Sequence, residues 1–313
     1  MARILTLLLV CTTVALGQDP IPLRASTTRD IGIPAFGFTD NAQCDADGNL
    51  FFHTGRPRAA VILKLEPNGV FSFYEPAEEN DDREFTAFRV SRDGSLRLMV
   101  ALRRGGYDVY TYGKGSSTPS RLHLNTATGF RARNFVALGN EHILVHGYFD
   151  DRAAEQMRGK TDLVEFGPAG NVVRNSLEQI AEDALRDIES RSPEAAAAEG
   201  EDGAIYMLQS DHVLVFPPGG APRRILFAAP EPGFHASDVA AVEGKVVVFF
   251  SKPDSKNMLM YRYSVFDRVT GQLTAVFQPT DETGNNAICL SKDGLTFFKV
   301  QKGRVKLVTA ALR

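Results

Sequence analysis

The chain has 313 residues, of which 43% are hydrophobic and 23% are charged, and its formal net charge at pH 7 is −3. This mild acidity is spread along the chain, so it argues against a nucleic-acid or anionic-membrane partner, which would require clustered lysine and arginine. No apolar stretch reaches the about 20 residues that a membrane-spanning helix needs, and we expect no transmembrane segment.

The first seventeen residues have the pattern of a cleavable signal peptide. Arg3 provides the positive charge, an apolar run follows from Ile4 to Leu16, and the small residues Ala15 and Gly17 precede the expected cleavage site. We therefore predict a secreted or periplasmic protein in which residues 18–313 form one domain.

A tight turn recurs along that domain, and each turn is followed by a short β-prone run. The turns are centred on Gly48, Gly94, Gly139, Gly203, Gly244 and Gly294. A second hairpin follows most of them, as at Leu65 and Gly69. Each unit is thus the size of a four-stranded antiparallel propeller blade, so the sequence predicts an all-β fold with six blades.

The sixth unit has only three predicted strands before the chain ends at Arg313. Unassigned β-prone residues remain near the start of the domain, at Ile21–Ala25. We expect this N-terminal segment to supply the outer strand of the last blade, because that closes the ring and removes an open edge.

One short amphipathic helix is predicted between blades three and four, within residues 175–193. Its apolar stripe consists of Leu177, Ile180, Ala181, Ala184, Leu185 and Ile188. Ser176 and Gln179 have capping-box spacing, and Pro193 follows the end. Two interpretations stay open: a lid over the channel mouth, or a segment packed on the outside of the ring.

The clearest repeat carries a resemblance to a known family. The run Asp45–Phe52 (DADGNLFF), continued by Ile62–Gly69 (ILKLEPNG), resembles one repeat of the NHL-type six-bladed propellers. The resemblance implies the architecture. It implies little about activity, because that superfamily includes sugar lactonases, peptide-processing lyases, receptor ectodomains and scaffolds.

Strand direction alternates within a blade, so the tight turns all lie on one face of the predicted ring. The opposite face, here called the long-loop face, holds the connections between second and third strands and those between blades. These connections are longer, more polar and more varied, which marks the long-loop face as the expected working surface.

Cys44 and Cys289 have similar contexts, NAQC and NAIC, on the predicted innermost strands of the first and last blades. Those blades become neighbours when the ring closes, so the two thiols could form a disulfide in an exported protein. The alternative is a pair of buried free thiols that behave as small apolar residues.

Polar residues, Arg89 among them, cluster where the chain enters each innermost strand. A subset with oxygen ligands could hold a divalent cation such as Ca²⁺. The metal candidates are Asp40, Asn134, Glu194, Asp238 and Asn286. Such a site is similar to that of lactonase-type propellers, in which a metal polarises a substrate oxygen. The alternative is a set of ordinary polar loop residues.

Charged side chains at the same mouth suggest ligand recognition instead. The candidates are Arg56, Arg103, Arg133 and His235. Because no catalytic motif is evident, the leading hypothesis is a binding or scaffold propeller that recognises a peptide, protein or glycan through its long-loop face. The second hypothesis is a metal-dependent lactonase-type hydrolase or lyase.

Overall fold

The structure is a computed structural model, and its β-strands form six sheets arranged as successive blades. It describes residues 19–34, 42–53, 61–76, 83–138, 141–149, 161–175, 197–200, 202–209, 211–217 and 221–313.

The strands follow one another blade by blade. Blade one contains β3 (Ala42–Cys44), β4 (Leu50–His53), β5 (Ile62–Leu65) and β6 (Phe71–Tyr74). Blade two contains β7 (Arg83–Val90), β8 (Leu96–Leu102), β9 (Tyr107–Tyr112) and β10 (Ser120–Leu124). Blade three contains β11 (Phe130–Ala137), β12 (Ile143–Phe149), β13 (Thr161–Phe166) and β14 (Val172–Asn175).

The second half of the ring repeats this order. Blade four contains β15 (Ala197–Glu199), β16 (Ile205–Leu208), β17 (His212–Phe216) and β18 (Arg223–Leu226). Blade five contains β19 (His235–Val242), β20 (Lys245–Pro253), β21 (Leu259–Asp267) and β22 (Leu273–Gln278). Blade six contains β23 (Ala287–Ser291), β24 (Gly294–Gln301) and β25 (Arg304–Ala310). Consecutive strands within each blade pair in antiparallel fashion, so the predicted six-bladed propeller is confirmed.

The N-terminal segment contributes strands to two blades. Strand β2 (Thr27–Pro34) pairs antiparallel with β25 and is the outermost strand of blade six. Strand β1 (Ile21–Pro22), which lies within the segment that the sequence assigned to blade six, instead runs parallel to β22 at the edge of blade five. Between the two strands, Leu23 is buried against residues of both blades. The first and last parts of the chain are thereby joined.

The turn glycines explain why the hairpins form where they do. Gly48, Gly94, Gly203 and Gly244 have φ between 70° and 88°, a left-handed conformation that side chains with a Cβ rarely adopt. Gly294 has φ 126°, and a Cβ there would lie 2.1 Å from the carbonyl oxygen of Ala310. A side chain at this last turn would therefore force the two strands apart.

Blades pack on one another through buried aliphatic and aromatic side chains. At two of the junctions a tyrosine hydroxyl makes the same pair of hydrogen bonds to the next blade. Tyr263 on β21 donates a hydrogen bond to the carbonyl of Asn285 (3.0 Å) and accepts one from the amide of Ala287 (2.9 Å). Tyr107 on β9 makes the corresponding pair of bonds to Phe130 and Ala132 of blade three. In both cases a phenol ties the third strand of one blade to the innermost strand of the next.

The predicted helix requires a correction to the fold class. None of the residues that the structure describes is helical, and residues 176–193 lie outside the described ranges. Where the chain leaves blade three it is extended, because β14 pairs with β13 as far as Asn175. The sheet therefore takes the backbone hydrogen bonds up to the residue where the helical pattern begins, and the fold of the described residues is all-β without a helix.

Candidate functional site

The innermost strands of the six blades surround a central channel. It encloses a cavity of about 120 Å³, to which all six strands contribute. Its polar lining residues are Gln43, Arg89, Ser91, Arg92, Arg97, Glu199 and Asp238. The rest of the lining is mostly small and apolar, so these few side chains determine what the channel can bind.

A β-bulge recurs in four of the innermost strands and sets the direction of their side chains. The extra residues are Thr86, Arg133, Ser237 and Ile288. A bulge kinks its strand and re-aims the neighbouring side chains. Asn134 and Asp238 each follow a bulge, and in each the Oδ1 atom accepts the amide of the next residue, at 2.9 and 2.7 Å respectively. The same local fold thus presents an amide in blade three and a carboxylate in blade five.

Arg89 lies deep in the channel wall of blade two. Its Nε donates to the carbonyl of Phe135 at 2.9 Å, which tethers the guanidinium to blade three. Its terminal Nη2 has no hydrogen-bond partner among the described residues. Burial lowers the pKa of Arg89 to about 10, and the negative charge of Asp238 partly opposes that shift. The group still carries its positive charge at neutral pH.

Asp238 stands on the opposite side of the ring, because blades two and five are three apart in a ring of six. Its side chain is exposed to the channel space although protein surrounds it. Burial raises the pKa of Asp238, while the amide of Val239 and the charge of Arg89 act in the other direction. Arg89 and Asp238 attract each other, but no ion pair within 4.0 Å joins these two described residues.

The tight-turn end of the channel is crossed by a second arginine of blade two. Arg92 donates Nη1 to the carbonyl of Leu290 (3.0 Å) and Nη2 to the carbonyl of Ala241. It therefore spans from blade two to blades six and five. Beside it, Arg97 donates to the hydroxyl of Ser91 at 2.6 Å. Polar groups at this end are bonded to the protein and restrict passage along the axis.

Glu199 completes the tight-turn end from blade four. Burial raises the pKa of its carboxyl, and a hydrogen bond from Ser91 and the charge of Arg97 oppose the shift. Among the described residues, the cavity wall thus holds three arginines, all from blade two, against the two carboxylates Glu199 and Asp238, so this part of the lining carries a net positive charge.

Cys44 and Cys289 line the same channel and form a disulfide with a Cα separation of 5.7 Å. This separation is in the ordinary range for a disulfide. The bond joins the innermost strands of the first and last blades across 245 residues of sequence. Gln43, next to it, accepts from the amide of Val90 and donates to the carbonyl of Phe88, so the closure is also bonded to blade two.

The metal candidates are not brought together as a carboxylate cluster among the described residues. Among them there is no group of three His, Cys, Asp or Glu side chains that could hold an ion. Of the candidates, Asp238 lines the cavity together with Arg89, whose positive charge would repel a cation, and Asn134 lies on the wall beside Arg89. Asn286 is exposed just before β23 and is not part of the cavity wall, while Asp40 and Glu194 lie outside the described residues.

The proposed ligand-binding residues are dispersed around the face. Arg133 lies over the ring of Tyr148 (4.9 Å to the centroid) and donates to its hydroxyl at 3.0 Å. Arg103 is exposed between β8 and β9, and His235 is exposed at the start of β19. Arg56 lies outside the described residues. None of the three that are described lines the cavity.

Sequence reasoning missed Arg92 and Glu199, and it noted Arg89 without assigning it a role. A comparison of equivalent positions in the repeats could have identified Arg89. Counted from the bulge, the position of Arg89 is occupied by Val136 in blade three, Ala240 in blade five and Ser291 in blade six. A cation at a position that is otherwise small or apolar departs from the repeat and marks a special site.

Comparison with known proteins supports the fold alone. No protein-family model matches the chain, and no curated protein matches it. Among solved structures, a luciferin-regenerating enzyme is 12% identical with a TM-score of 0.51, over 90% of this chain and 95% of that one. A protein described as a proposed gluconolactonase is also 12% identical, with a TM-score of 0.51 over 92% of this chain and 97% of that one.

At this identity the likeness defines a class of fold. The chain is a six-bladed β-propeller, consistent with the NHL-type resemblance of its first repeat. In the part of the chain that the structure describes, no helix has the length and apolar character needed to cross a membrane.

Proposed function

We propose that this chain is a ligand-binding propeller that receives a polar group of its ligand into the central channel from the long-loop face. The observation that carries the proposal is Arg89, a cation that lines the cavity and whose buried Nη2 has no hydrogen-bond partner among the described residues. Leaving a buried charged donor unsatisfied is costly, so such a group is usually completed by something that binds.

The direction of approach follows from the two ends of the channel. Arg92 crosses the tight-turn end and is bonded to carbonyls on two other blades. At the long-loop end Ser237, Asp238 and Asn286 are exposed. A ligand therefore reaches Arg89 from the long-loop face.

The size of the cavity limits what enters. A cavity of about 150 Å³ holds a benzene molecule, and this one measures about 120 Å³. It admits a small molecule, or one projecting group of a peptide, protein or glycan. A larger partner would have to rest its remaining surface on the long-loop face.

We also propose that the protein works outside the cytoplasm, as its signal-like N-terminus suggests. The Cys44–Cys289 disulfide supports this, because disulfides persist in oxidising compartments and are rare in the cytosol.

The test is a thermal-shift screen of the protein against small carboxylates, amino acids, sugars and lactones, followed by calorimetry on each hit. We expect at least one ligand whose affinity falls at least tenfold in Arg89→Met and is unchanged in Arg304→Met. Arg304 is a suitable control because it is an exposed arginine on β25 whose partner is Asp30. Ligands that bind Arg89→Met as well as the natural protein would contradict the proposal.

The alternative is a metal-dependent hydrolase or lyase of the lactonase type. Two observations favour it: the likeness in fold to the proteins described above, and the equivalent placement of Asn134 and Asp238 after bulges. It predicts one tightly bound Ca²⁺ or Zn²⁺ per chain that is lost in Asp238→Ala, with hydrolysis of a lactone or ester. Elemental analysis and a lactone panel on the purified protein decide between the two functions.

A further inference from the structure

We infer that the group bound in the channel is a zwitterion of the amino-acid type, with its carboxylate on Arg89 and its ammonium on Asp238. The inference rests on the proposed function, since it names the chemistry of the ligand that the same channel receives. It depends on which charged groups of the cavity lining are bonded to other protein groups, and on the positions of Arg89 and Asp238, which form no ion pair with each other.

Most polar groups in the channel already have protein partners. Arg92 is bonded to two carbonyls, and Arg97 is bonded to Ser91. Gln43 makes both of its hydrogen bonds to blade two. The Ser91 hydroxyl and the positive charge of Arg97 both stabilise the charged form of Glu199. These residues close the tight-turn end and have little left to offer a ligand.

Arg89 and Asp238 differ from them. Arg89 lines the cavity; its guanidinium is anchored through Nε, and its buried Nη2 has no hydrogen-bond partner among the described residues. The carboxylate of Asp238 uses one oxygen to accept the amide of Val239, and that short bond fixes its direction as well. The channel therefore contains one donor and one acceptor of opposite charge, both held in place by the strands that carry them.

The two groups line the same cavity without touching. They lie on opposite blades and form no ion pair within 4.0 Å. A ligand with a negative end and a positive end would compensate both charges, because a charge surrounded by protein is costly unless an opposite charge or hydrogen bonds compensate it.

Other ligand chemistries satisfy only half of the site. A simple carboxylate would pair with Arg89 and bring a second negative charge towards Asp238. A simple amine would pair with Asp238 and be repelled by Arg89. A neutral sugar would offer hydrogen bonds to both and neutralise neither. Guanidinium–carboxylate and ammonium–carboxylate contacts are the stronger, charge-assisted kind, so a zwitterion gains on both sides.

Calorimetry with ligands of stated length tests the inference. The amino acids glycine, β-alanine and γ-aminobutyrate place the two charges at increasing separation. Acetate supplies the carboxylate alone, ethylamine the ammonium alone, and glycolate replaces the ammonium by a hydroxyl. We expect one amino acid of the series to bind at least tenfold more tightly than acetate, ethylamine and glycolate.

Asp238→Asn provides the matched variant, since it removes the charge with little change of shape. It should weaken the best amino acid at least tenfold and leave acetate unchanged or tighter. Because a buried substitution can disturb folding, circular dichroism and the melting temperature are compared first. Arg89→Lys, which keeps the charge, should retain part of the amino-acid affinity that Arg89→Met loses.

The outcomes separate this inference from the proposed function. If acetate or glycolate binds as tightly as every amino acid, in an Arg89-dependent way, the channel is an anion site and the zwitterion is wrong, while the proposed function stands. The same holds if a neutral sugar is the best Arg89-dependent ligand. If no probe binds, or if binding does not depend on Arg89, both are overturned.

Discussion

Replacing both Cys44 and Cys289 by alanine should lower the melting temperature by several degrees without changing the fold. The disulfide joins the innermost strands of the first and last blades, and Cys289 is buried. Alanine is the suitable substitute because it leaves no unpaired hydroxyl in the wall. The unfolded chain of the variant gains the freedom that the crosslink removes.

The magnitude follows from the size of the crosslinked loop. With a sequence separation of 245 residues, the loop-closure relation gives a loss of about 5.5 kcal/mol at 25 °C, and measured disulfides contribute about 2–4 kcal/mol in typical cases. Unfolding 313 residues releases about 0.66 kcal/mol/K near the melting temperature. We therefore expect the melting temperature to fall by about 3–8 °C.

Differential scanning calorimetry of the oxidised protein, the reduced protein and the double variant measures the effect. Reduction by a dithiol should lower the melting temperature of the natural protein to about that of the variant, and it should leave the variant unchanged. Intact mass with and without alkylation confirms the oxidised state beforehand. A double variant that melts within 1 °C of the oxidised protein would refute the reasoning, since the disulfide would then contribute no measurable stability to the closed ring.

Two further predictions concern single buried groups. Burial raises the pKa of Glu199, so the folded state favours its protonated form and the protein loses stability as pH rises through and above 4.5. Glu199→Gln should therefore raise the melting temperature at pH 7, with a gain that disappears towards pH 4, whereas the exposed Glu84→Gln should show no such trend. Tyr263→Phe should cost about 1–3 kcal/mol, or about 2–5 °C, because it leaves the carbonyl of Asn285 and the amide of Ala287 without their partner. Urea titration measures that loss, and an unchanged midpoint would show that water replaces the phenol.

The architecture could be predicted from the sequence because its determinants are local. A turn glycine such as Gly48 or Gly244 has a left-handed backbone that other residues avoid, so its position in the sequence fixes a hairpin in space. Six glycine-containing turn signals at blade-sized intervals in the sequence leave few folds that could accommodate them.

The sequence contains no comparable local signal for strand pairing between distant parts of the chain. Ile21–Pro22 and Thr27–Pro34 are both β-prone, but only the structure shows that the first lies beside blade five and the second beside blade six. Their partners are more than 250 residues away, and nothing in a short strand specifies a register at that range. The expected helix falls on residues outside those that the structure describes, and the described chain before it stays paired with the sheet as far as Asn175.

The channel shows most clearly what a repeat hides. The innermost strands of the blades share the same local structure, so the repeat alone predicts six similar sides of the channel. Function depends on the positions at which one blade carries a different residue from the others. Within the part of the chain that the structure describes, blade two supplies all three arginines that line the cavity, and two of them donate to the backbone of other blades. Arg92 donates to carbonyls on two other blades at one end, and Arg89 lines the cavity with a buried Nη2 that has no hydrogen-bond partner among the described residues. Blade two therefore both connects other blades and supplies the positive charges of the cavity lining. Substitution of its arginines should affect stability and binding together, whereas Asp238→Asn on the opposite blade should affect binding far more than stability.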